Sequence, residues 1–458
     1  MFDIRVPCRD VVMFLELACL VLCIMLLFEV AKMNSKKRPL EVDVDVGPWK
    51  RVKVKGHFSS NPFPAEFAAS VVDKSLLTGP MPRVPRESTV YLGSDCSGYG
   101  SDYLSLKACL GPEIKIKCVF VADKCPHKMT LLKKLHSNFE DPANIRRFYD
   151  DICKRDVNDC PQVDIFVSGA PCPPWSAAGK GKGLDDPQNR GVVLFHSLEY
   201  VLVKKPRVVV LENVKGMTFQ KHKHVLDDVK EILYNSGDAV FHRVLDTKEH
   251  GLPQSRPRLY IIGLWAKEIK HKFSFPDPVP MVPLARFIVP RHDAPAALSA
   301  GARKNVKKFT KKFAKKNIDL ADAWGVVDAS AGPSFASAML GCSPCLTKSR
   351  GGSGGHYLAK LGRYMNIYEI GGLQGIPKAW VDDMLEACPD DEGVVGRAFG
   401  DAMSMNVLMR VLPRALWAVG LIESLPPDVW ATASTSVGQM PDCIYARNRP
   451  HAVRAIWS

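Results

Sequence analysis

A series of short apolar runs, each closing on a polar or glycine-bearing turn, limits what this chain can fold into more than any other feature. "TVYLGS" (89–94), "KCVFVAD" (117–123), "VDIFVSG" (163–169) and "RVVVLEN" (207–213) read as buried strands, and "FHRVLD" (241–246) and "RLYIIGLW" (258–265) follow them. Amphipathic stretches of helical spacing lie between, such as "GVVLFHSLEYVLVKK" (191–205). Near-continuous apolar strands alternating with helices specify a parallel sheet covered on both faces. The expected fold is α/β: a doubly wound, mostly parallel, Rossmann-like sheet. The alternation lapses between Trp265 and Leu340, where prolines and a lysine run intervene. A glycine-rich return and one long helix, from near Val394 through about Gly420, are predicted after it.

These shifts divide the chain. Residues 1–32 form a hydrophobic N-terminal segment and 33–88 a proline- and charge-rich leader read as mostly disordered. The main domain takes 89–265, a smaller inserted domain 266–340, the return and closing helix 341–425, and a tail 426–458. The 458 residues carry a net charge of +14, which favours a polyanionic partner, either nucleic acid or an anionic membrane. Fourteen cysteines are scattered without a framework, and a chain this long needs no disulfide staples. "CSPC" (342–345) has no second pair to complete a metal site, so no metal is expected. Nothing resembles a phosphate-binding P-loop. Residues 11–31 are almost long enough to span a bilayer and follow Arg5 and Arg9, which gives a membrane anchor. If Met33 is the true start, the basic clusters at Lys36–Arg38 and Lys50–Lys55 suit nuclear import instead.

The C-terminal edge of an open α/β sheet is where ligands bind, and the chain's unusual residues gather there. The first strand runs into "SDCSGYGS", where Gly98 and Gly100 let backbone approach a ligand, although a tight turn without one would use them equally. The second strand ends in Asp123, placed to hold ribose hydroxyls or simply to face solvent. "DDI" (150–152) closes a third strand or its loop. The third apolar run leads into "APCPPWS", which sets Cys172 between prolines in a stiff loop. Glu212 follows four apolar strand residues, and a carboxylate is rarely buried without a partner or a task. A thiol nucleophile beside an acid able to give a proton is a reactive pair. Gln254, Arg256 and Arg258 alternate into the last strand, so period two puts all three on one face, as a clamp.

This order of motifs resembles the DNA (cytosine-5) methyltransferases over about 89–420. The resemblance rests on the GxG turn, the strand-end acid, PCPPWS, "ENV" (212–214) and QSRPR. It extends to "RYMNIYEIGGLQGIP" (363–377) and "GRAFGDAMSMNVL" (396–408). It implies S-adenosylmethionine as cofactor, near Gly98, Gly100, Asp123, Ile152 and Pro171. It implies Cys172 as nucleophile, Glu212 as general acid and Arg258 as the residue that contacts the base and orients the glutamate, with Arg256 and Gln254 supporting that strand, Arg256 within the catalytic set and Gln254 as a substrate contact. It makes 266–340 a target-recognition insert and duplex DNA the partner, with the target base flipped out of the helix. The thiol is then expected to be acidified by the arginines and the DNA-bound geometry.

Four positions depart from the family pattern, all near the cofactor: Cys96 where a phenylalanine is usual, Ser94 or Asp95 where an acid is usual, Lys124 where an aromatic is common, and Asp401 where asparagine follows glycine. The tRNA-methylating branch shares the motifs, but its Cys-Phe-Thr triplet is missing, and the nearest string is "PCLTKS" (344–349). RNA is therefore the second choice of substrate, and a catalytically weak DNA-binding relative the third reading. No chromatin-reading module is visible. Within the insert, "RKNVKKFTKKFAKK" (303–316) sets Lys307, Lys308, Lys311 and Lys312 on one helical face, expected to grip phosphates, with Val306, Phe309 and Phe313 as an apolar stripe.

Overall fold

The computed structural model describes residues 41–44, 52–55 and 89–433, the last without 112–113, 140–146, 178, 290–296 and 352–354. The expected anchor, the import cluster at 36–38 and most of the leader lie outside these. The chain divides into two compact units, 1–73 and 74–458. In the first, strands β1 (Glu41–Val44) and β2 (Val52–Lys55) pair antiparallel, with Glu41 opposite Lys55 and Asp43 opposite Lys53. The leader, read as disordered, thus contains a hairpin. Its alternation of valine with charge is a strand period too short to stand out in a proline-rich stretch.

The second unit is built on a seven-stranded sheet. Its strands are β3 (Thr89–Asp95), β4 (Lys115–Ala122), β5 (Arg147–Tyr149), β6 (Ile165–Ser168), β7 (Val208–Val214), β8 (Asp238–Asp246) and β9 (Pro257–Trp265), in spatial order β5-β4-β3-β6-β7-β9-β8. The first five are parallel, and β9 runs antiparallel to both its neighbours. This is the expected mostly parallel, doubly wound sheet. Every residue of β6 is buried, as are Val208 through Asn213 of β7, which is why both read as unbroken apolar runs. The crossovers use helices α1 (Ser101–Cys109), α2 (Pro126–Phe139), α3 (Val193–Lys204) and α4 (Lys223–Ser236). The winding order reverses at β3, with β4 on one side and β6 on the other, and such a switch point is the usual ligand crevice of these sheets.

The insert is smaller than its expected bounds at one end and longer at the other. Phe273, Phe275, Val282, Leu284 and Phe287 pack in the main core with Leu92 and Val210. The separate layer is helix α5 (Ala300–Ala314) on an antiparallel sheet of β10 (Gly325–Asp328), β11 (Ala338–Leu340), β12 (His356–Leu358) and β13 (Arg363–Tyr364), ordered β11-β10-β12-β13. A boundary at 340 would cut this sheet in two; its three-residue strands are too short to show a period. The stripe on α5 is as expected: Phe309 is buried against Val327 and Ala329, with Val306 and Phe313 beside it. Ser299 caps the helix by accepting from the Ala302 amide.

The return holds α6 (Ile367–Leu373), α7 (Lys378–Ala387), α8 (Glu392–Asp401) and α9 (Met405–Ala418), and α10 (Val429–Ala433) follows. The one long helix expected from Val394 is two, broken at Ala402–Ser404. The break frees the carbonyls of Gly400 and Ala402 to accept from Arg256 Nη2, at 3.2 and 2.6 Å. The Ser404 and Thr247 hydroxyls meet at 2.7 Å across the same gap. A helix would have used those carbonyls itself.

Candidate active site

Parallel pairing of β6 with β7 sets Ser168 opposite Leu211, so both strands end at one edge. Four residues past Ser168, Cys172 stands just before a single helical turn, Pro173–Trp175. Prolines fit there because the first positions of a helix need no N–H donor. The Trp175 amide donates to Cys172 O at 3.0 Å, and the Trp175 side chain is buried. From β7, Asn213 Nδ2 donates to Ala170 O at 3.3 Å, tying the strand that carries Glu212 to the loop that carries the thiol. Asn213 thus has a task the sequence left unassigned beyond its place in ENV.

Glu212 is buried at 8% exposure. The antiparallel register sets Val214 against Arg258, whose Nε lies 3.2 Å from Glu212 Oε1. Burial pushes the Glu212 carboxyl above its ordinary range, against the pull of Arg258 and Arg256. A carboxyl held toward its neutral form has a proton to give. The same charges act on Cys172. Burial comes first and raises the thiol; Arg258 and Arg256 lower it, and Glu212 raises it. In the protein without DNA, desolvation of the sulfur outweighs the arginines, so the arginines alone do not supply the expected acidification.

The alternation through Gln254, Arg256 and Arg258 does put three side chains on one face, but what they clamp is the chain's own segment Cys345–Leu346. Gln254, fully buried, accepts from the Leu346 amide at 3.0 Å and donates to Leu373 O at 2.7 Å. The structure gives it an internal tie where a substrate contact was expected. Arg256, 2% exposed, donates to Leu346 O, Gly400 O and Ala402 O. It joins the last strand to the return, a structural task beside the catalytic one expected of it. Arg258 alone of the three reaches Glu212.

Cys345 is the residue that sequence reasoning missed. Its sulfur accepts from Arg256 Nη1 at 3.6 Å and Arg258 Nη2 at 3.7 Å. Burial raises this thiol, but the two guanidinium groups outweigh it and hold Cys345 below its ordinary value. Its one sequence signal was "PCLTKS", weighed only as an imperfect triplet.

The other expected cluster surrounds the start of α1. Gly98 and Gly100 have φ of 63° and 82°, left-handed values that favour glycine. The position a Gly98 Cβ would take has open space around it, whereas one on Gly100 would lie 2.8 Å from Leu135 of α2. Gly98 thus faces a crevice, and Gly100 serves packing. The Gly98 amide donates to Asp123 Oδ2 at 3.0 Å, and the Cys125 amide to Oδ1 at 2.9 Å. Ile152 is buried nearby in the turn after β5, and Pro171 is half-buried beside Cys172. Of the departures from the family pattern, Asp95, Lys124 and Asp401 are drawn into ion pairs. Asp95 holds Arg155 at 2.5 and 2.8 Å with both side chains fully buried, and Arg155 is caged by Phe120, Tyr149 and Tyr200. Lys124 pairs with Asp151 at 3.1 Å, and Asp401 with Lys128 at 3.0 Å and Lys348 at 3.6 Å.

Lys307, Lys308, Lys311 and Lys312 are exposed on α5, and none meets an acid among the described residues. They stand apart from the thiol, on the other layer. Among the described residues no group of His, Cys, Asp or Glu could hold a metal ion, and no helix is long and apolar enough to cross a membrane.

With two carboxyl-edge strands presenting a thiol and a buried acid, and a crevice over a glycine turn beside them, the architecture is that of a group-transfer enzyme of the doubly wound class. The family model for C-5 cytosine-specific DNA methylases matches residues 96–415, and the chain belongs to that family. The type II methyltransferase M.Bsp6I of Bacillus sp. (strain RFL6) is 36% identical over 146 residues, 32% of this chain and 45% of that protein. M.NgoBI of Neisseria gonorrhoeae is 40% identical over 131 residues, 29% of this chain and 40% of that protein. The chain thus spans less than half the length of these relatives. Both are bacterial, which lends nothing to a nuclear destination. Among solved structures, the Entamoeba histolytica methyltransferase EhMeth aligns with a TM-score of 0.51 at 15% identity, over 72% of this chain and 98% of that one. The S. pombe Dnmt2 methyltransferase aligns at 0.50 and 14%, over 72% and 99%. At such identities these two share the fold alone.

Proposed function

We propose that this chain methylates C5 of cytosine in duplex DNA, through a covalent bond between Cys172 and C6. The observation that carries this reading is the Arg258–Glu212 pair at 3.2 Å, whose charges both act on the Cys172 thiol. Cytosine C5 is a poor nucleophile. Addition of the Cys172 sulfur to C6, with Glu212 giving its proton to N3, converts C5 to an enamine carbon. Arg258 holds the Glu212 carboxyl in place and offsets the charge left on it. Once C5 carries the methyl, loss of the C5 proton, departure of the Cys172 thiolate and return of the N3 proton to Glu212 restore the ring and the acid. The proline-flanked loop fixes the sulfur's position, lowering the entropic cost of attack. The base must leave the duplex to reach it, which costs a few kcal/mol.

The crevice over Gly98 suits S-adenosylmethionine: open space at the glycine, Asp123 at the strand tip and buried Ile152 are of the type that holds a nucleoside. When bound, that group supplies the methyl. Gly98, Asp123, Ile152 and Pro171 would line it, while Gly100 shapes the turn. The lysines of α5 would hold phosphates, and as point charges they would position the duplex without reading its sequence. A nuclear destination, if Met33 is the start, belongs to the same proposal.

The test is transfer of labelled methyl from S-adenosylmethionine to a cytosine-containing duplex and, in parallel, to tRNA. Label in DNA at cytosine C5 supports the reading. Label in tRNA alone moves the substrate, and no label in either overturns it.

A further inference from the structure

Between β7 and α4 the chain exposes an aromatic that the chemistry above does not use. Phe219 is 52% exposed and sits between two single helical turns, Lys215–Thr218 and Gln220–His222. Both turns are packed on the nucleophile's loop. A Cβ on Gly216 would lie 2.2 Å from Trp175 O, so the two backbones touch there. The His222 ring meets the Trp175 ring edge-on with centroids 5.3 Å apart, and Lys221 Nζ donates to Gly181 O at 3.3 Å. Phe219 is therefore the tip of a loop fastened, through Trp175, to the turn that begins at Cys172.

The surroundings of that tip are cationic. Lys180, Lys182, Lys215 and Lys221 are exposed, and none pairs with an acid among the described residues. Burying this face against another protein would desolvate four ammonium groups. A nucleic acid strand meets it without that cost, because its phosphates take the lysines and every base has a π face for the ring. Removing one base from a duplex also bares the faces of its neighbours.

We propose that Phe219 is a stacking platform for a base next to the flipped cytosine, with Lys180, Lys182, Lys215 and Lys221 on the adjoining phosphates. This rests on the DNA reading above and adds to it a contact outside the thiol, the acid and the cofactor crevice. The platform is indifferent to sequence, since stacking needs no base edge.

The test uses the full chain with S-adenosylhomocysteine and a duplex carrying 2-aminopurine beside the target cytosine. Wild type and Phe219→Tyr should quench the aminopurine on binding, and Phe219→Ala should not. Phe219→Ala should bind about tenfold more weakly. Its salt dependence should be unchanged, because a stacking contact releases no counterions, whereas Lys215→Gln should flatten that slope by about 0.9. The side chain is exposed, so an unchanged thermal transition for Phe219→Ala is expected and separates lost contact from lost fold. A Phe219→Ala protein with wild-type affinity and wild-type quenching overturns the platform while the DNA reading stands. A wild type that binds tRNA and no duplex overturns the assignment to DNA, and one that binds neither overturns the functional reading and the platform together.

Discussion

The carboxyl edge of the sheet is built in two ways. On the β6–β7–β9 side, polar groups face one another and keep capacity to spare: Glu212 has one cation at 3.2 Å, and Cys172 remains half-exposed. On the β3–β4–β5 side the carboxylates are already engaged: Asp95 by Arg155 and Ser197, Asp123 by two backbone amides, Asp151 by Lys124 and the Cys153 amide. Of the departures from the family pattern, Asp95, Cys96 and Lys124 stand on the second side, and Asp401 reaches it from α8 by pairing with Lys128 of α2. Bond-making chemistry admits few substitutes for a thiol, an acid and a guanidinium. A crevice that only holds a ligand can exchange its residues, provided each new charge finds a partner, and here each does.

Four changes would break or sharpen that contrast. Glu212→Gln keeps the shape and removes the proton, so single-turnover methyl transfer should fall about 100-fold or more; a loss under tenfold would deny it the acid's role. Arg256→Met should leave the Leu346, Gly400 and Ala402 carbonyls without their donor and cost about 3–5 kcal/mol, read as a lower urea midpoint. A midpoint shift under about 1 kcal/mol would show that the hub is not structural. Lys307, Lys308, Lys311 and Lys312 changed together to Gln should weaken all duplexes alike and reduce the slope of log K against log salt by about 0.9 per lost contact. An altered site preference at constant slope would make these lysines base readers. Asp401→Asn, which restores the family's residue, should change stability by under about 1 kcal/mol, as its ion pairs are partly exposed. It should alter S-adenosylmethionine affinity only a few-fold; a large gain would mean that the departure impairs the crevice.

Legibility in the sequence followed the same divide. The strands of the sheet were readable because burial on both faces makes them apolar throughout. Cys172, Glu212 and Arg258 stood out because their residue types are out of place in such strands and loops, and the structure sets Arg258 against Glu212. Gln254 and Arg256 were placed on the right face but given an outward task, since alternation fixes direction and not what lies opposite. Their true counterpart, Cys345–Leu346, comes nearly ninety residues later, with no local signal linking the two. The break before Met405 was hidden for a similar reason: Arg256, Thr247 and Gln374, distant in sequence, supply the partners that replace the helical bonds.

The central claim is that Cys172 forms the bond to cytosine, from a thiol held above its ordinary value by burial. The most direct measurement is trapping with a 5-fluorocytosine duplex, where fluorine blocks the release step, followed by peptide mapping. The account predicts one adduct, at Cys172, absent in Cys172→Ser. An adduct at Cys345 or any other cysteine would contradict it.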